Sequence, residues 1–133
     1  MKKQVAIVHY NTPQITEAAI WSLRKHGGDY EVFVFDNSDT RQFTAKMKGV
    51  TVFDNTKGQI IDFDKELAKY PDKDDRIGCA KGCSYGSDKH MMSIQKLWEL
   101  LPDGFALMDS DVLIKENIDW MFYRENTEGE YVL

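Results

Sequence analysis

The chain has 133 residues, 42% of them hydrophobic and 29% charged, with a formal net charge of −5. That length suffices for one domain with its own core, and the composition belongs to a folded globular protein rather than a disordered one. The acidic balance argues against a nucleic-acid partner, since phosphate backbones are bound by clustered Lys and Arg; an anionic ligand would need a local device such as a metal ion or a helix N-terminus.

The leading "MKK" is followed by only the short apolar run "VAIV" before His9. This is too brief for a signal-peptide core or a membrane span, so the expected location is the cytoplasm, with the periphery of a membrane as the variant. "VAIVHY" (5 to 10) is a β-branched run that reads as a strand. A helix is expected next, with Thr12 as N-cap, Pro13 at the first helical position and Gly27-Gly28 as the stop. Its apolar face is read as Ile15, Ala18, Ala19 and Leu23, flanked by Ile20 and Trp21.

"YEVFVFDNSD" (30 to 39) is a second strand ending in Asp36, Asn37 and Ser38; "TRQFTAKMKG" predicts a weaker helix, and "VTVFDN" (50 to 55) a third strand ending in Asp54-Asn55. A short helix is expected near Lys65 to Tyr70, stopped by Pro71, before a charged loop and the glycine-rich "IGCAKGCSYGS". That passage matches neither standard phosphate-loop pattern and reads as a loop near the site. Cys79 and Cys83, four apart with no second Cys/His pair nearby, read as two free thiols rather than a zinc site. A further helix is capped by Ser87 or Asp88 and carries Met91, Ile94, Leu97, Trp98 and Leu101 on one face. "FALMDSDVLI" (105 to 114) predicts a fourth strand, and Ile118 to Tyr123 a short helix. The final "YVL" reads like a strand being entered, so residues 1–133 are expected to form one domain cut short at its C-terminal edge. That exposed edge makes a homo-oligomer an expected state.

Apolar strands that do not alternate, interleaved with helices, predict an α/β fold: a mostly parallel, Rossmann-like sheet with helices on both faces. In such sheets ligands bind outside the carboxyl ends of the strands, where Asn11, Asp36, Asp54 and Asp109 all fall. Asp109 and Asp111 would share one face of an extended strand, although a turn there would change the detail. Two such close carboxylates repel when ionised, and a divalent cation, Mg2+ or Mn2+, relieves the repulsion while taking its remaining ligands from a substrate's phosphates. The bland alternative is an aspartate that merely caps or turns the chain at a strand end.

Taken together, "VAIVHYNTPQITEAAIWSL", "YEVFVFDNSD" and "GFALMDSDV" resemble the nucleotide-binding part of a GT-A fold glycosyltransferase of the family-2 type. The resemblance implies a nucleotide-sugar-binding domain whose donor substrate is a nucleoside-diphosphate sugar, most often a UDP-sugar, and whose acceptor is a saccharide, lipid or protein. It places Tyr10 against the base with Asn11 completing the pocket, has Asp36 accept a hydrogen bond from the base, sets Asp109 near the ribose and the metal, and makes Asp111 the main metal ligand of this D-x-D motif. "YGSDKH" (85 to 90) stands where the family leads into a helix packed beneath the D-x-D strand, with Lys89 and His90 read as ordinary surface residues. Inverting members carry an acidic general base well downstream. Here Glu116, Asp119, Glu125, Glu128 and Glu130 follow, none marked by spacing, and the catalytic residue is unassigned.

Two rivals remain at this stage. A haloacid-dehalogenase-type phosphatase also uses a strand followed by D-x-D, but requires a long body after the motif. A non-enzymatic flavodoxin-like or receiver-like module fits the length and the element order, and is separated from a glycosyltransferase by whether it binds a uridine diphosphate.

Overall fold

The computed structural model describes residues 3–26, 28–70 and 85–122. The two cysteines, most of the glycine-rich passage, Glu125, Glu128, Glu130 and the terminal "YVL" lie outside the described residues.

Elements follow in the order β1 (Gln4–His9), α1 (Pro13–Lys25), β2 (Glu31–Asp36), β3 (Val50–Asp54), α2 (Phe63–Ala68), α3 (Tyr85–Leu100) and β4 (Ala106–Leu107), then a 3₁₀ turn at Asp119–Phe122. The strands pair in parallel in the order β3-β2-β1-β4. Two apolar clusters cover the sheet, one on each face, because alternate residues of a strand point to opposite sides. Val5, Ile7, Val32 and Val34 face Ala19, Ile20 and Leu23 of α1. Ala6 and Phe35 face Leu97 and Leu101 from α3 and its end, with Ile61 and Phe63 from the α2 region. The small α/β fold with a parallel sheet and helices on both faces is therefore present.

Three local expectations are corrected. In α1 the buried face is Thr16, Ala19, Ile20 and Leu23, whereas Ile15 and Trp21 are exposed. The helix is rotated so that a threonine faces inward, where it meets His9. Residues 40–49 form no helix: Phe43, Ala45 and Met47 turn toward the α1-side cluster while Thr44, Lys46 and Lys48 are exposed, the two-residue period of extended chain. The fourth strand is only Ala106–Leu107, continued by one bond from the Met108 N–H to the Ala6 carbonyl at 2.9 Å, after which the chain turns away.

The smaller helix starts two residues earlier than expected because Asp62 caps it, accepting from the Lys65 N–H at 3.1 Å. At the far end of the sheet the Tyr30 hydroxyl donates to Asp119 at 2.5 Å, and Lys3 pairs with the same carboxylate at 3.2 Å, tying the 3₁₀ turn down. In α3, Leu97 is fully buried whereas Trp98 is 57% exposed. Leu97→Ala should thus lower stability by about 3 kcal/mol and the melting temperature by roughly 10 °C, measured by calorimetry. A fall of less than about 3 °C would show that the α3 face is not held as described.

Candidate functional site

Where strand order reverses, a parallel sheet opens a crevice at its carboxyl edge. The chain runs from β1 outward to β2 and β3, then crosses back by α2 and α3 to place β4 on the other side of β1. The switch point therefore lies between the carboxyl ends of β1 and β4, where Tyr10 and Asp109 stand. A cavity of about 630 Å³ occupies this position, lined among others by Tyr10, Asn37, Lys89, His90, Asp109 and Asp111.

One wall is the turn after β4. The Val112 N–H reaches back to the Asp109 carbonyl at 3.3 Å, so Asp109-Ser110-Asp111 form a tight turn rather than alternating positions of a strand. Both carboxylates are exposed and both line the cavity. The following segment is anchored to α1 by the Ile114 N–H donating to the Ser22 hydroxyl at 2.8 Å. The first two turns of α3 bring Gly86, Lys89 and His90 to the same cavity. The Lys89 ammonium sits 5.6 Å from the centre of the Phe63 ring, so its position is set by α2 as well as α3.

The loop after β1 is organised by Asn11. Its backbone is left-handed, φ 55°, a conformation that asparagine tolerates better than most residues. Its side-chain oxygen accepts from three successive N–H groups, those of Asp39, Thr40 and Arg41, each at 3.1 Å, and its amide donates to Asp39 at 2.6 Å. Every polar atom of the Asn11 side chain is thus engaged with the β2 loop, and Asn11 shapes the pocket without lining it. Tyr10 is half exposed, and its hydroxyl donates to the other oxygen of Asp39 at 2.8 Å.

Asp36, expected to face a base, is buried beneath that loop. One of its oxygens accepts from the Ser38 N–H at 2.9 Å, the other from the Phe43 N–H at 2.8 Å, and the residue is 2% exposed. It ties the extended 40–49 run to β2 and does not line the cavity. Asp54 likewise closes its own turn, accepting from the Thr56 N–H at 2.9 Å and hydroxyl at 2.6 Å. These contacts hold the Asp54 carboxyl below the ordinary carboxylate range. Of the strand-end aspartates, the pair after β4 is therefore the one that lines the cavity.

Residues that sequence reasoning did not single out complete the floor. Asn37 donates to the Ser93 hydroxyl of α3 at 2.8 Å and accepts from Asn55 at 3.0 Å, and Asn55 in turn accepts from the Ile60 and Ile61 N–H groups. This chain of amides fixes the ends of β2 and β3 to α3. Its signal in the sequence is the repeated Asp-Asn at the close of both strands.

His9, the last residue of β1, is fully buried under the site. One ring nitrogen meets the Thr16 hydroxyl at 2.6 Å and the other the Arg41 carbonyl at 3.4 Å. Because a carbonyl can only accept, Nε2 carries the proton and Nδ1 accepts from Thr16. Burial lowers the His9 pKa below its usual 6.5, with the charge of Asp36 opposing the shift in part. An unfolded chain would bind a proton here before the folded one does, so this contribution is present above pH 6.5 and shrinks as pH falls from there through the lowered folded value. The melting temperature should drop between about pH 7 and pH 5, and drop less in His9→Gln, as followed by circular dichroism. Equal slopes in the two proteins would remove His9 from the acid sensitivity.

Comparison with protein-family models, with curated proteins and with solved structures found no match to this chain.

Proposed function

We propose that the chain is the nucleotide-sugar-binding domain of a GT-A type glycosyltransferase, which binds the diphosphate of a UDP-sugar through a divalent cation and transfers the sugar to a saccharide, lipid or protein acceptor. The observation that carries this reading is the cavity at the switch point, lined by two exposed carboxylates and by Lys89 and His90 from the first two turns of a sixteen-residue helix. A polyanionic ligand would otherwise meet an acidic protein, net charge −5.

The donor set fits Mn2+ or Mg2+. Asp109 and Asp111 offer hard oxygen ligands on one turn, and among the described residues no third His, Cys, Asp or Glu stands close enough to complete a protein cage. The remaining coordination positions then belong to water and phosphate oxygens, the arrangement these ions favour. When bound, such an ion neutralises the charge that grows on the leaving diphosphate as the anomeric bond breaks. The protein's own part is to orient and to shield. The α3 N-terminus and Lys89 supply positive potential to the phosphates, Tyr10 offers a ring face to the base, and the Ser93–Asn37–Asn55 chain keeps the floor rigid.

A receiver-like switch is less well supported, because Asp36 and Asp54 are engaged with their own loops. Thermal-shift measurements separate the two readings. UDP and Mn2+ together should raise the melting temperature well beyond the sum of their separate effects, whereas no shift with any nucleoside diphosphate would contradict a donor site.

A further inference from the structure

The two layers that sandwich the sheet are charged differently. On the side of α2 and α3, a cavity of about 550 Å³ between the helices is lined by Asp62, Glu66 and Glu99, with Lys96 beside them. On the α1 side, the last turn of the helix carries Arg24 and Lys25. The extended 40–49 run turns Lys46 and Lys48 outward on this same side, while Phe43, Ala45 and Met47 pack inward. The Arg24 guanidinium donates to the Lys48 carbonyl, which draws the two groups of cations together. The acids here are Glu17 on α1 and Glu116 on the segment laid along it, with Lys115 next to Glu116. This layer is basic in a protein whose net charge is −5.

The same layer exposes apolar side chains. Trp21 is 62% exposed, and so is Leu113, which adjoins the bond from the Ile114 N–H to Ser22 that holds the segment against α1. A cavity of about 410 Å³ is lined by Trp21, Ser22, Arg24 and Lys25, an indole beside two cations with no carboxylate among them. A bilayer surface accepts that combination, because the ring and the aliphatic stems enter the headgroup layer while the charges meet lipid phosphates. A second copy docked through the same face would set these cations against one another.

We propose that the α1 side of the molecule, with Trp21 at its centre and the cations Arg24, Lys25, Lys46 and Lys48 around it, docks on a bilayer containing anionic phospholipid. This inference stands apart from the nucleotide reading and holds or fails without it.

Co-sedimentation of the purified protein with two kinds of vesicle tests it: phosphatidylcholine alone, and an equimolar mixture of phosphatidylcholine and phosphatidylglycerol. The mixed vesicles should bind at least about tenfold more tightly, and binding should weaken as salt is raised. Lys46→Gln combined with Lys48→Gln should reduce that affinity about tenfold or more, and Trp21→Ser by about tenfold. Lys69→Gln combined with Lys96→Gln, on the opposite layer, should leave it unchanged. Equal binding to both kinds of vesicle, binding to neither, or an equal loss in the opposite-layer variant would overturn the proposal. So would a dimer in sedimentation velocity that Trp21→Ser abolishes while vesicles bind neither protein, since the face would then meet a second copy.

Discussion

Asp36→Ala should destabilise the protein by about 3–5 kcal/mol, lowering the melting temperature by roughly 10–20 °C and leaving little folded protein at physiological temperature. The carboxylate is 2% exposed and accepts from two backbone N–H groups of the loop it anchors, those of Ser38 and Phe43. Hydrogen bonds to a charged group contribute about 1.5–3 kcal/mol each, and their loss would leave two buried donors without a partner. Phe43, whose ring packs edge-on against His9 at 5.7 Å between centroids, would lose its register with that loop. A calorimetric scan that found Asp36→Ala within about 3 °C of the wild type would mean that the loop is not held by this residue.

The second large effect is of the opposite kind. Asp109→Asn combined with Asp111→Asn should weaken Mn2+-dependent binding of UDP by about a hundredfold or more, while changing the melting temperature of the free protein little. Both side chains are exposed on a turn whose backbone bond, from the Val112 N–H to the Asp109 carbonyl, needs neither carboxylate. Removing the two carboxylates takes away the hard oxygen ligands that a divalent cation would use. Equal affinity in the doubly substituted protein would remove the D-x-D turn from the site. These two changes separate aspartates that look alike in the sequence: one is bonded to the backbone of its loop, and the pair lines the cavity.

Much of the architecture was readable from pattern. The apolar runs at "VAIV", "VFVF" and "VTVF" and the polar residue closing each became β1, β2 and β3, because β-branched and aromatic stretches suit strands; β1 and β2 are largely buried, and β3 is the partly exposed edge. The run at 40–49 was less legible. Read by composition it resembles a helix, yet Phe43, Ala45 and Met47 recur at every second position, which only an extended chain can turn to one side. The rotation of α1 was hidden for a related reason: Thr16 takes an inward place because His9 requires a hydroxyl partner, and no periodicity of apolar residues reports that demand.

At the site, the position of Tyr10, Asp109 and Asp111 was legible because strand ends in a parallel sheet converge on one edge. The division of labour among the other polar residues was not. Asn11 and Asp36 carry the residue types of a ligand pocket, and only the hydrogen bonds show them engaged with backbone N–H groups. Asp39, three residues after Asp36 and exposed, has no distinguishing neighbour in the sequence; its place depends on a tyrosine and an asparagine from the loop after β1.

The most direct test of the nucleotide reading is calorimetric titration of UDP into the protein, first with Mn2+ present and then with a chelator. Saturable binding at one site per chain that the chelator abolishes is the expected result, and makes the Asp109-Ser110-Asp111 turn a cation-dependent anchor for the diphosphate. Binding of equal strength in both conditions would contradict the role given to that turn, and the absence of binding in either would contradict the nucleotide-sugar site itself.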